Sequence, residues 1–231
     1  MQEGQDIGCS QLGFHLCHVW HKEGGLQMLS YQTVEPHTLE LLRRLMEASL
    51  LRQTRLVGGT ALALQYGHRS SVDLHFFGDV DASTEELSQV LGQVGAVTLM
   101  GQGKMIKGFV VDGIRIDIVS YAYPWLEDAV VEDGLRLASP VDIAAMKVYA
   151  IENRGSRKDF IDMYFLLKHY SLDEILLFYK RKYPEHSEFV ALRSLTYFED
   201  AESFAMPKMY ASFDWEDLKR SIIAAVSQYT S

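Results

Sequence analysis

The sequence predicts an α+β fold, a mixed β-sheet flanked by helices and followed by a helical C-terminal lobe. Three observations carry this expectation. Leu56 and Val57 run through Gly58, Gly59 and Thr60 into the apolar segment ALALQY at 61–66, the order strand, glycine turn, helix. Residues 96–121 alternate around an Asp112–Gly113 dipeptide, as an antiparallel meander does. From Ser139 onward, apolar residues recur mainly at helical spacing.

Length and composition bound the rest. With 231 residues, 48% of them hydrophobic, the chain can bury a full core, and two lobes sharing one site are expected, at 28–137 and 138–231. Residues 1–27 have no sustained period and read as a loose arm, or as an upstream start ahead of a true start at Met28. Cys9 and Cys17 are the only cysteines and have no ligand-spaced partners, which suits a reducing compartment. No run is apolar and long enough to span a bilayer, so a cytoplasmic protein without a membrane partner is expected. The net charge of −9 argues against wholesale coating of nucleic acid, although a local basic groove is compatible with it.

Taken in order, Leu39, Leu41, Leu42, Leu45, Met46 and Leu50 give an amphipathic helix over 36–51. A short helix follows the glycine pair and ends at Gly67. In VDLHFF at 72–77 the period of two throws Asp73 and His75 to one face and Val72, Leu74 and Phe76 to the other. Ser83 or Thr84 caps a helix that Gly95 stops, and the meander follows. Its last strand puts Ile114, Ile116 and Ile118 on one face and Arg115 and Asp117 on the other. Ser139, Pro140 and Asp142 start a helix that carries Lys147, and Gly155 and Ser156 break it. The next helix opens with Arg157, Lys158, Asp159 and Asp162, and a last one runs from Asp214 to about Tyr229.

Each polar residue has an ordinary explanation by itself. A glycine pair before a helix is a tight turn, or else an anion site where free N–H groups and the helix dipole converge. Asp73 and Asp117 fit a solvated sheet face, Lys147 a snorkelling lysine, and Asp159 and Asp162 the usual acids of a helix start. Arg154, Arg157 and Lys158 form the local basic cluster best suited to phosphate.

Together, GGTALAL, GHRSSVDL and FF at 58–77, SPVDIAAMK at 139–147 and KDFIDMY at 158–164 resemble the AbiEii/AbiGii toxins. These are minimal nucleotidyltransferases of bacterial abortive-infection and toxin–antitoxin systems. The resemblance covers roughly Met28 to the C-terminus. It implies a nucleotidyltransferase-like sheet, transfer of a nucleoside monophosphate from an NTP to an acceptor hydroxyl, a tRNA acceptor, Mg²⁺ or Mn²⁺ as cofactor, and a cognate winged-helix antitoxin. It assigns catalysis to Asp73, Asp117, Lys147 and Asp159, with Asp162 in support. The triphosphate falls to Gly58, Gly59, Thr60, Arg69, Arg157 and Lys158, and the metal to Asp73, His75 and Asp117. The family strand reads Asp-x-Asp, whereas this one reads Asp73-x-His75. That departure motivates an alternative, a weakened or inactive member that binds nucleotide or antitoxin without turnover.

Overall fold

The computed structural model of the chain describes residues 28–231; the arm expected over 1–27, with both cysteines, lies outside the described residues. Helix α1 (Pro36–Glu47) opens on its proline and buries Leu41, Leu42, Leu45 and Met46. It stops short of the expected Leu51 because Ala48 turns extended, and Ser49–Leu51 form a separate 3₁₀ turn. Strand β1 (Thr54–Leu56) leads into α2 (Gly58–Tyr66), which is buried from Thr60 to Gln65 and closed by Gly67 in the left-handed region.

Strand β2 spans Leu74–Gly78, so Val72 and Asp73 precede it and Val72 is exposed rather than packed. Helix α3 (Thr84–Gly92) carries a reciprocal cap between Ser83 and Glu86 and ends before the expected Gly95. The meander is present as β3 (Val97–Gln102), β4 (Ile106–Val111) and β5 (Ile114–Ser120). A further hairpin, β6 (Val130–Glu132) and β7 (Leu135–Leu137), was not anticipated from the sequence. Its signal was the Asp133–Gly134 pair, whose positive φ angles repeat those of Asp112–Gly113.

The seven strands form one sheet in the order β3-β4-β5-β2-β1-β7-β6. β2 lies in the middle, antiparallel to β1 and parallel to β5, and its register sets His75 opposite Asp117. The expected lobe boundary falls between β7 and the Ser139 cap of α4 (Pro140–Asn153). Helices α5 (Arg157–Leu166), α6 (Leu172–Lys182), α7 (Glu188–Leu195), α8 (Glu199–Glu202) and α9 (Trp215–Tyr229) complete the chain. One continuous apolar core joins the sheet to these helices. A buried polar pin ties them as well. Asp142 accepts from Ser139 Oγ at 2.9 Å, from Leu126 N at 3.0 Å and from Lys182 Nζ at 2.7 Å, fixing the 124–127 loop to α4 and α6. No helix among the described residues is long and apolar enough to cross a membrane.

Candidate active site

The start of α2, the leading end of β2, the middle of β5 and the α4–α5 junction enclose a cavity of about 450 Å³. Gly59, Thr60, Arg69, Asp73, His75, Asp117, Lys147, Lys158 and Asp159 all border it, as expected of them. Gly58 lies beside it, against His75, in an adjoining pocket. The glycine pair is the first turn of the helix rather than a turn ahead of it, and Gly58 takes φ +70°, a conformation that side-chain-bearing residues rarely adopt. This places the helix's free N–H groups at the cavity.

Asp162 lies behind the wall and organises it. Its carboxylate accepts two bonds from Arg69, Nε at 2.7 Å and Nη2 at 2.8 Å, one from His68 Nε2 at 2.8 Å, and it pairs with Lys147 Nζ at 2.6 Å. The side chains of Asp162, His68, Arg69 and Lys147 are at most 5% exposed. Burial by itself raises a carboxyl pKa, but here Arg69, Lys147 and the bond from His68 outweigh it and hold Asp162 well below the usual range. Burial lowers the pKa of His68, whose Nδ1 has no partner, so the neutral ring donates from Nε2.

Asp159, expected to orient or deprotonate a hydroxyl, is fully buried in a similar net. It meets Lys147 Nζ at 2.9 Å, Arg154 Nε at 2.9 Å and Ser156 Oγ at 2.6 Å. Lys147 and Arg154 overcome its burial and keep its carboxyl far below the ordinary value, so it is a poor general base and a good anchor for two cations. Ser156 had a signal, since it stands at the helix-cap spacing three residues before Asp159.

Three of the residues expected to bind nucleotide, Thr60, Arg69 and Gly59, have structural contacts of their own, and a fourth, Arg157, lies away from the cavity. The Thr60 hydroxyl bonds to the Asp73 carbonyl and to Ser71 Oγ, so it shapes the Asp73 segment. Arg69 is committed to Asp162, and a Cβ on Gly59 would lie 2.2 Å from its Nη2. Gly59 is therefore small because Arg69 passes beneath it, and Gly59→Val is expected to displace that pair as well as obstruct an anion. Arg157 does not border the cavity. It reaches the Ala201 carbonyl at 3.0 Å and Glu202, and it lies over Trp215, because its place at the start of α5 turns it toward α8 and α9.

Arg154 stands in its place, 63% exposed at the side chain and bordering the cavity. Five basic side chains, Arg69, Arg115, Lys147, Arg154 and Lys158, border the cavity with three acidic ones, Asp73, Asp117 and Asp159, and even with Asp162 counted behind the wall the balance is positive, on a chain of net charge −9. The cavity is thus a local anion attractor. Arg154→Ala should weaken NTP binding by at least about fivefold in calorimetry, as loss of a charge-assisted contact does. Arg157→Ala should change it less than about twofold, since its contacts lie elsewhere. Equal losses would restore Arg157 to the phosphates.

On the sheet side, His75 Nδ1 lies 3.1 Å from Asp117 Oδ2, and Arg115 Nε lies 3.2 Å from the same oxygen. Burial pushes the Asp117 pKa up, but His75 and Arg115 bring it below the usual value. The expected three-way convergence of Asp73, His75 and Asp117 is incomplete. Among the described residues, no three His, Cys, Asp or Glu side chains are placed to hold a metal ion, and the imidazole and guanidinium occupy Asp117 instead. Phe204 and Ala205, just beyond α8, close the cavity from a distant part of the chain and carried no sequence signal.

A profile of the nucleotidyl transferase AbiEii toxins of type IV toxin–antitoxin systems matches residues 40–227. The chain belongs to the AbiEii family. An uncharacterized protein of Aquifex aeolicus is 32% identical over 198 residues, 82% of this chain and 94% of that one. Two solved structures share the AbiEii chain's fold at low identity. JHP933 from Helicobacter pylori has a TM-score of 0.52 at 18% identity, over 84% of this chain and 92% of that one. MenT4, a nucleotidyltransferase toxin from Mycobacterium tuberculosis, has 0.51 at 12%, over 83% and 82%.

Proposed function

We propose that this AbiEii chain transfers a nucleoside monophosphate from an NTP to an acceptor hydroxyl within the cavity at the start of α2. The observation that carries the proposal is a concentration of five cations and a helix N-terminus on an acidic protein, facing the carboxylates of Asp73 and Asp117. Reactions at phosphorus need positioning and charge neutralisation more than covalent help. Arg154 and Lys158 would offset triphosphate charge, and Lys147, held by Asp159 and Asp162, would supply a fixed positive centre. The free N–H groups of α2 would orient the phosphate oxygens.

Asp73, His75 and Asp117 border the cavity but do not converge on one point, so a cation would have to draw them together, and a set of two carboxylates and one imidazole would suit Mn²⁺, tolerant of nitrogen, better than Mg²⁺, which prefers oxygen. Asp73 and Asp117 would hold the ion with His75 only after Asp117 exchanged its contacts with both His75 and Arg115 for the ion. When bound, such an ion polarises phosphoryl oxygens and lowers the pKa of an attacking hydroxyl. The acceptor we propose is the hydroxyl at an RNA end, tRNA being the first to test, and the partner a winged-helix antitoxin.

The pairing of His75 and Arg115 with Asp117 also favours a second reading, a binding protein with little turnover, because both groups compete with a cation for that carboxylate. Incubation of the chain with each α-labelled NTP, bulk tRNA, and Mg²⁺ or Mn²⁺ in turn separates the two. Label on RNA supports transfer. NTP binding without label on any acceptor supports a nucleotide binder, and no NTP binding removes transfer and nucleotide binding together, leaving antitoxin binding as the second reading.

A further inference from the structure

A second concavity of about 270 Å³ adjoins the first and shares His75, Lys147 and Arg154 with it. Its chemistry is different. Phe77, Tyr121, Tyr123, Tyr149 and Tyr183 wall it, with Gly58 and Met146 between. The rings are held in place: Tyr149 stacks on Tyr183 at 4.9 Å and 23°, Tyr123 meets Tyr183 edge-on at 4.7 Å, and the hydroxyls of Tyr121 and Tyr183 are 2.8 Å apart. Tyr183 belongs to the buried core, whereas Tyr123 is 40% exposed and Phe77 and Tyr149 are half-buried. Burial raises the pKa of the Tyr121 phenol, which therefore stays a neutral hydrogen-bonding group.

We propose that this tyrosine-walled pocket takes a nucleobase, so that one nucleotide spans both cavities, with phosphates toward Gly59 and Arg154 and the base among the tyrosines. An aromatic slot whose only charged lining, Lys147 and Arg154, lies where it meets the anion-attracting cavity is complementary to a planar heteroaromatic ring joined to phosphate. Such rings are recognised by stacking on aromatic side chains and by hydroxyl hydrogen bonds at their edges. The base belongs either to the incoming NTP or to the acceptor end. This inference rests on the phosphate cavity assigned above.

Three probes separate the parts: an NTP, inorganic tripolyphosphate and a short single-stranded RNA, each titrated by calorimetry into the full chain and into Tyr123→Leu and Tyr149→Leu. Tyr149→Phe keeps the ring and serves as the rescue variant. Loss of NTP affinity by at least about fivefold in the leucine variants, with tripolyphosphate binding unchanged and Tyr149→Phe near the parent, is the expected result. The same loss for RNA alone would give the pocket to the acceptor's base. Unchanged binding of both in Tyr123→Leu, the more exposed position and the less damaging to folding, would overturn the proposal. If the parent binds no tripolyphosphate, the phosphate cavity fails. Free nucleoside then decides the pocket separately, supporting it if its binding is lost in Tyr123→Leu and overturning it if no nucleoside binds.

Discussion

Asp162→Ala is expected to destabilise the folded chain by about 3–5 kcal/mol, the range for removing one partner of a buried ion pair. The loss follows from what remains. Arg69 and His68 would be buried with no carboxylate in contact, and Lys147 would keep only Asp159. Denaturant unfolding measures it, and Arg69→Met combined with Asp162→Leu should recover part of the loss by removing both charges together. A loss near zero for the single variant would mean that the net does not hold the α2, α4 and α5 segments. Acid should act on the same groups. Carboxyls held below their unfolded value stabilise fully above about pH 4 and progressively less as pH falls through the folded value. His68, held neutral by burial, adds an earlier limb: below about pH 6.5 the unfolded chain binds a proton that the folded chain resists, so stability starts to fall there. His68→Gln, which keeps a donor toward Asp162, should flatten that limb alone.

His75→Asp is expected to raise Mg²⁺-dependent nucleotide transfer by at least about tenfold, equivalent to roughly 1.4 kcal/mol of barrier. The imidazole now bonds to Asp117 across the parallel β2–β5 pair and would offer a cation only the single lone pair of its other nitrogen. A carboxylate there adds an oxygen ligand and a negative charge where cations gather, and it can bridge two ions. The unaltered chain should do relatively better with Mn²⁺. The exchange also has a signature in stability, because facing carboxylates at 75 and 117 repel until a cation binds, so Mg²⁺ should raise the melting temperature of His75→Asp more than that of the parent. Equal activity and equal Mg²⁺ stabilisation in both proteins would sink this explanation of the wall.

Local rules made most of this fold legible. The Ser139 cap, the Gly67 stop and the Asp112–Gly113 turn follow from a few neighbouring residues each, and the structure has them where they were expected; of the two caps offered for α3 it uses Ser83, and Asp214, expected as the start of the last helix, caps it. The β6–β7 hairpin carried the same kind of turn signal but was hidden by its three-residue strands. Within the site, types and faces were legible and partnerships were not. The spacing of Asp159 and Asp162 gave a shared helix region. It could not say that Asp162 meets an arginine 93 residues earlier, or that Gly59 must be small to let that arginine pass. Arg157 and Arg154 look alike in sequence, and only the packing of α8 and α9 against α5 draws the first away.

Labelled NTP offers the most direct test of transfer itself. ATP, GTP, CTP and UTP would each be supplied with label on the α-phosphate and, separately, on the γ-phosphate, with Mn²⁺ and bulk tRNA, for the parent and for Asp73→Asn. Transfer of a nucleoside monophosphate at this cavity requires label on RNA from the α position only, and its loss in Asp73→Asn. Label arriving from the γ position, or undiminished α-label transfer by Asp73→Asn, would contradict it.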